Sequence, residues 1–348
     1  MKNSIHYFLC ITIIILTISS CKKDKPEVAQ PTVQIPVYSE GVFIINEGNF
    51  NGGNAKVSYY NITTNAVSQD LYQPANNVPL GDICQSMVLH NGNAYLVVNN
   101  SQKITVVNPS TFVETAMITG LGSPRYLLPI DNQKAYVSDL FSSNVSIINL
   151  TTNTVSGTIP IGSSSEEMVL ASGKVFVTSF SSDKVYVIDV TSDAVVDSII
   201  VGPSSNSIKL DVNGKLWVLC NGSYSDAIPG SLYRINPSTN EVEQTLFFTN
   251  HNEYPNKLRI NGGLNTLYFL NTNVYSMSIT DTVLPANAFV TSSGNALYGL
   301  GIDPLSGDVF VSDAVDYIQS GKVYRYESSG AFVNSFTVGV LPGEFCFN

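Results

Sequence analysis

The stretch Lys174–Leu210, KVFVTSFSSDKVYVIDVTSDAVVDSIIVGPSSNSIKL, decides the fold. An apolar run surrounds Phe176, and a second run from Val185 to Ile188 ends at Asp189. The turn Asp189–Asp193 leads to a third run, Ser198 to Val201, closed by Gly202 and Pro203. β-Branched and aromatic residues suit pleated, half-buried segments, while Asp, Gly and Pro preset the turns between them. Across the chain the same composition argues against a helical architecture.

The same pattern recurs on both sides. Seven aromatics sit inside short apolar runs: Phe43, Tyr95, Tyr136, Phe176, Trp217, Tyr268 and Phe310, spaced by 52, 41, 40, 41, 51 and 42 residues. A second strand follows in each unit, then an Asx-led turn such as Asn108–Thr111, Asn149–Asn153 or Asn236–Asn240. Four short antiparallel strands per unit of about 40 to 45 residues is the period of a β-propeller blade. The expected fold is an all-β, seven-bladed β-propeller of four-stranded antiparallel blades spanning residues 41–348. The chain enters at Gly41 as the second strand of blade 1, and Gly343–Phe347 stands where a first strand belongs. The N- and C-terminal strands are therefore expected to pair and close the ring.

The Lys174–Leu210 copy resembles the YVTN-repeat propellers, in which a Tyr-Val-Thr-Asn-like strand precedes a strand ending in Asp and then a Val-Gly turn. That resemblance covers residues 41–348 and implies a fold, since propellers host many functions.

Residues 1–20 have the layout of a signal peptide: Lys2, an apolar run from Tyr7 to Ile18, then Ser19 and Ser20. Ile18-Ser19-Ser20-Cys21 resembles a bacterial lipobox and marks Cys21 for lipidation. Lys22, Lys23, Asp24 and Lys25 resemble a surface-export tag of Bacteroidetes lipoproteins. Residues 21–40, spaced by Pro26, Pro31 and Pro36, read as a tether. Localisation is expected to be the outer membrane, lipid-anchored and facing the exterior, with the lipid as the only membrane contact.

Hydrophobic residues make up 44% of the chain and charged residues 13%, so neutral side chains must solubilise it; 34 Asn stand against 17 Lys plus Arg. A net charge of −10 with four Arg leaves no footprint for nucleic acid. Of five cysteines, Cys84, Cys220 and Cys346 remain after processing, an odd number without CxxC spacing that reads as small buried apolar residues.

Loop lengths locate a working face. From the strand aromatic to the middle of the next strand, blades 2, 3 and 4 use 10 residues, blades 1 and 5 use 16, blade 7 uses 14 and blade 6 only 7. The surplus falls in residues 46–55, 221–230 and 313–321, and in the blade connections 73–82 and 249–255, all expected on one face. Long loops around a short one predict a notch beside the central channel. Ligand-binding candidates on these loops are Glu47, Asn49, Phe50, Tyr224, His251, Tyr254, Asp316 and Tyr317. Phe141 and Phe180 stand at the matching tips of blades 3 and 4. Aromatics with neutral hydrogen-bonding groups suit a large, uncharged, amphipathic ligand or another protein. Arg125, Glu166, Asn206 and Asn256 hold equivalent first-strand positions, where they either contact a ligand on the axis or close the channel by pairing with one another.

The sequence shows no nucleophile elbow, phosphate loop or calcium loop. With only His90 and His251 after residue 20, a multi-histidine metal site is nearly excluded; His251 is either a loop residue or a lone metal or cobalt ligand. No catalytic residue, metal or cofactor is expected, and the protein is read as a monomer and not an enzyme.

Lipobox, tag, ring and the blade 1 segment GVFIINEGNFNGGNAKVSYYN together resemble the propeller surface lipoproteins of Bacteroidetes, with Glu47-Gly48-Asn49-Phe50 the most distinctive stretch. That resemblance implies capture of a ligand, foremost cobalamin, for delivery to a TonB-dependent transporter. An envelope protein-interaction scaffold and a propeller lactonase or lyase are the alternatives.

Overall fold

The Asx residues of the expected turns do close them. Asn108 Oδ1 accepts from the N–H groups of Ser110 and Thr111 at 2.9 and 3.2 Å, and Asp189 Oδ1 from those of Thr191 and Ser192 at 3.0 and 2.8 Å. Asn149, Asn236 and Asn61 repeat the arrangement. Each carboxylate or amide oxygen satisfies turn N–H groups that no strand can reach, so the chain reverses at little cost.

The computed structural model describes residues 38–291 and 294–348, which form seven antiparallel sheets. The expected signal peptide, the Cys21 lipid site and nearly all of the tether lie in residues 1–37, outside the described residues. Innermost strands of successive blades pack on one another all the way round, with blade 7 on blade 1 and blade 1 on blade 2. The structure is an all-β seven-bladed propeller. Among the described residues no helix is long and apolar enough to cross a membrane.

Seven hydrophobic clusters fill the seven interfaces between neighbouring blades, and each contains one of the seven repeat aromatics. Phe43 lies between blades 1 and 2, Trp217 between 5 and 6, and Phe310 between 7 and 1. Burying such a ring removes about 150–250 Å² from water, roughly 4–6 kcal/mol before ordering costs. Trp217 is fully buried, and its indole N–H finds Asp211 Oδ2 at 2.9 Å. The period seen in the sequence is thus the period of these interfaces.

Two blades depart from the regular form. Blade 6 has three paired strands, Asn256–Ile260, Thr266–Asn271 and Asn273–Ser278, with only a Val274–Val290 bridge where a fourth strand would lie. Pro285 cannot donate to a ladder, and Asp281 Oδ2 already takes the Ser278 N–H at 2.8 Å. In blade 1 the last strand shrinks to Val67–Ser68, and the surplus at residues 73–82 does not enlarge the working face as expected. It forms the short helix Tyr72–Asn76, and Tyr72 and Leu80 fill the interface between blades 1 and 2. Asn76 Nδ2 bonds Phe112 O at 2.8 Å in blade 2.

Ring closure follows the expectation. Val42–Asn46 pairs on one side with Lys56–Asn61 and on the other with Pro342–Phe347, Phe43 opposite Cys346 and Ile44 opposite Phe345. Cys84 and Cys220 are buried, Cys346 partly so, and none is disulfide-bonded. Deleting residues 343–348 should remove the strand that joins blade 7 to blade 1. Urea unfolding followed by circular dichroism is expected to show a lower midpoint and a broader transition for the truncated chain.

Candidate functional site

A repeated irregularity builds the channel. Innermost strands shift register near the same level in blades 2, 3, 5, 6 and 7, at Cys84/Ser86, Pro124/Leu127, Ser205/Ser207, Asn256/Arg259 and Leu297/Leu300. A bulge leaves one residue unpaired and re-aims its side chain. Gln85, Arg125, Asn206 and Tyr298 line the mouth of the channel from these bulges, together with Glu166 and Asn256 from blades 4 and 6. The mouth has a volume of about 380 Å³ and draws residues from all seven blades.

Blade 1 supplies its share differently. The equivalent position is Gly343, where a methyl group would overlap Glu47 Oε1. The Glu47 carboxylate, carried on the loop after the second strand, occupies the space that six blades fill from their first strands. Tyr298 donates to its Oε2 at 2.7 Å. Burial pushes the Glu47 carboxyl above its ordinary range, against the lowering pull of Lys257. Glu166 is also raised, since burial outweighs its 3.0 Å ion pair with Arg125. Arg125 bonds Gln85 as well. Lys257 holds a left-handed backbone, φ 55°, and donates from Nζ to Gly343 O at 2.9 Å. Glu47 and Glu166 thus face Arg125 and Lys257 around the mouth, and Glu167, the third carboxylate in its lining, is paired with Lys209 and Arg259.

Below the mouth lies a belt of buried ions. Glu167 accepts from Lys209 at 2.5 Å and from Arg259 at 3.0 Å, and Arg259 reaches both oxygens of Glu344 at 2.8 and 2.7 Å. Its Nε donates to Leu300 O at 3.0 Å, so the belt joins blades 4, 5, 6, 7 and 1. Burial raises the Glu167 carboxyl, but Lys209 and Arg259 together overcome it and hold it below its ordinary value. Tyr126 and Glu167 line both the mouth and a second, more apolar chamber of about 310 Å³ beneath it. The belt therefore lines the second chamber, and Glu167 alone of its members also lines the mouth.

The loops after the second and fourth strands form a rim that carries exposed aromatics. Phe50, Phe141, Phe180, Tyr224, Tyr254 and Tyr317 are all more than half exposed, with Phe141 at 85%. Phe180 and Tyr317 also line the mouth. Of the candidates, Glu47, Arg125, Glu166, Phe180, Asn206, Asn256 and Tyr317 meet there. His251 lies 5.9 Å from Tyr224, ring to ring, outside the mouth lining. Asn49 bonds Asn54 within its loop and, through Nδ2, the Tyr317 carbonyl of the blade 7 loop, and Asp316 Oδ1 caps Ile318 and Gln319; neither lines the mouth.

The even choice between ligand contact and pairing for the first-strand ring resolves in part into pairing, because Arg125 and Glu166 bond each other. Sequence reasoning missed Gln85, Glu167, Lys257 and Tyr298. Gln85 was within reach, because Cys84-Gln85-Ser86-Met87 aligns with Ser205-Asn206-Ser207-Ile208. At blade 6, where the loop lengths predict a notch beside the channel, the structure has instead a cleft of about 670 Å³ that shares no lining residue with the mouth.

A protein family described as a domain of unknown function (DUF5074) matches residues 40–340. No curated protein matches the sequence. Among solved structures the chain is similar to a quinonprotein alcohol dehydrogenase-like protein from Bacteroides thetaiotaomicron, at 17% identity and TM-score 0.70, over 89% of this chain and 78% of that one. It is similar also to a functionally unknown protein from Desulfotomaculum acetoxidans, at 12% identity and TM-score 0.69, over 88% and 98%. A Bacteroides fragilis protein provisionally assigned as a 6-phosphogluconolactonase matches at 11% identity and TM-score 0.67, over 89% and 98%. At such identities the likeness is one of fold.

Between the ordinary glutamate value of 4.5 and the raised value of Glu47, the folded chain holds a proton that the unfolded chain has lost. Stability therefore falls as pH rises through that window. Glu47→Gln removes this contribution, so the variant should gain melting temperature relative to the native chain as pH is raised from about 4 to 7. Gly343→Ala, which drives a methyl into Glu47, should cost about 1–3 kcal/mol in denaturant unfolding.

Proposed function

The chain belongs to the DUF5074 family, and from that premise we propose that it is a capture protein for a large, net-neutral, amide-rich amphipathic ligand, with a corrinoid such as cobalamin as the leading candidate. The observation that carries this reading is a mouth lined from all seven blades, with exposed Phe180 and Tyr317 in its lining and further exposed aromatics, Phe50, Phe141, Tyr224 and Tyr254, on the loops that leave the second and fourth strands. Aromatic rings supply contact area at low entropic cost, and Gln85, Asn206, Asn221 and Asn256 supply amide partners. The opposed pairs of carboxylates and cations favour a ligand without net charge. A corrinoid exceeds the 380 Å³ of the mouth, so it lies across the rim and sends a side group inward. Lipidation at Cys21, an outer-membrane surface location and delivery to a TonB-dependent transporter complete the proposal.

A second reading has one observation in its favour. Glu47 and Glu166 both line the mouth and both have carboxyls raised by burial, as a general acid requires. The pairing of Glu166 with Arg125, and the hydrogen bond from Tyr298 to Glu47, favour binding over hydrolysis. A lactonase assay, with elemental analysis for bound metal, tests that reading.

Calorimetric titration with cyanocobalamin is expected to give saturable binding at micromolar concentration or below. Phe141→Ala and Phe180→Ala should each weaken it by about 1–2 kcal/mol, roughly five- to thirtyfold. A titration without heat or spectral change removes the corrinoid.

A further inference from the structure

The cleft of about 670 Å³ at blade 6 exists because that blade lacks a fourth strand. Its apolar wall is aromatic. Phe248 and Phe269 meet edge to face at 5.6 Å, Tyr275 stacks on Phe269 at 5.7 Å and 8°, and Phe247 stands 62% exposed at the side. The polar end is one carboxylate. Glu253 Oε2 accepts from Asn271 Nδ2 at 2.8 Å and Oε1 from Thr249 Oγ1 at 3.2 Å. These neutral donors fix its position but leave its charge whole. No Lys, Arg or His lines the cleft, and among the described residues Glu253 has no ion-pair partner.

Charge and shape together select the ligand. An anion would meet an uncompensated carboxylate, and a neutral molecule would leave that charge unanswered. A cation with an apolar body satisfies both, because its charge faces Glu253 and its carbon groups lie against the exposed ring of Phe247 and the half-buried ring of Tyr275, whose π faces attract it, while buried Phe248 and Phe269 back them. The net charge of −10 draws cations toward the surface as a whole. We propose that the blade 6 cleft binds an alkylammonium group, carried either by a free amine such as choline or by a lysine side chain of another protein. Since cleft and mouth share no lining residue, the site stands or falls independently of corrinoid capture.

The test is a titration of the full chain, followed by NMR, with three probes: choline, its neutral carbon isostere dimethylbutanol, and an N-acetyl-lysine amide. Choline or the lysine amide should saturate at about 1 mM or below, and dimethylbutanol should bind about fivefold more weakly or worse. Glu253→Gln should weaken the cation by about fivefold and leave dimethylbutanol unchanged. Phe247→Leu alters an exposed ring and keeps the cleft apolar, so it should lower cation affinity with no loss of melting temperature. Tighter binding of choline assigns a free amine, and tighter binding of the lysine amide assigns a protein side chain. Equal affinity for choline and dimethylbutanol, an unaltered affinity in Glu253→Gln, or no saturation by either cation overturns the proposal.

Discussion

Every feature of the channel depends on the pairing of the last strand, Pro342–Phe347, with Val42–Asn46. A propeller blade shares its hydrophobic faces with two neighbours, so an open ring would leave two such faces in water. Closure converts six inter-blade clusters into seven, and the seventh holds Val42, Ile44, Phe310 and Phe345. It also brings Gly343 and Glu344 to the axis, where one makes room for Glu47 and the other completes the ionic belt with Arg259. The C-terminal strand is at once the lock of the fold and part of its candidate site.

The belt makes a rigid floor for the mouth. Arg259 spends its guanidinium on Glu167, Glu344 and two backbone carbonyls, Leu258 O and Leu300 O, which leaves it fully bonded. Replacing one member of such a buried network strands another charge, at a cost of about 3–5 kcal/mol. The mouth above therefore has fixed walls.

Much of the architecture was legible in the chain. The seven aromatics mark the inter-blade interfaces because each interface needs one large apolar group at the same height, and that demand prints a period near 41 residues. Asn, Asp and Pro in the turns were equally readable, since an Asx turn is made within four residues. Of the loop residues picked out by length or matching blade position, Glu47, Phe180 and Tyr317 line the mouth, and first-strand alignment found Arg125, Glu166, Asn206 and Asn256. It overlooked Lys257 and Tyr298, because bulges shift side chains by one residue and their position follows from pairing. Asp316 caps the N–H groups of Ile318 and Gln319, and the Asn49 side chain bonds Asn54 and the Tyr317 carbonyl, contacts that follow from how the loops meet in space.

The sequence by itself determined the number of blades, the strand that closes the ring and the residue types available at the rim, because these follow from local turn chemistry and from a repeated need for burial. Only the tertiary structure decided which charges neutralise one another and where the open space lies. Glu47 fills a gap left 296 positions later at Gly343, and Arg259 joins Glu167 to Glu344 across the axis. The blade 6 cleft arises from a strand that fails to pair. The first two depend on distances set by closure of the whole ring and the third on pairing between strands, and a linear chain carries no record of either at any one position.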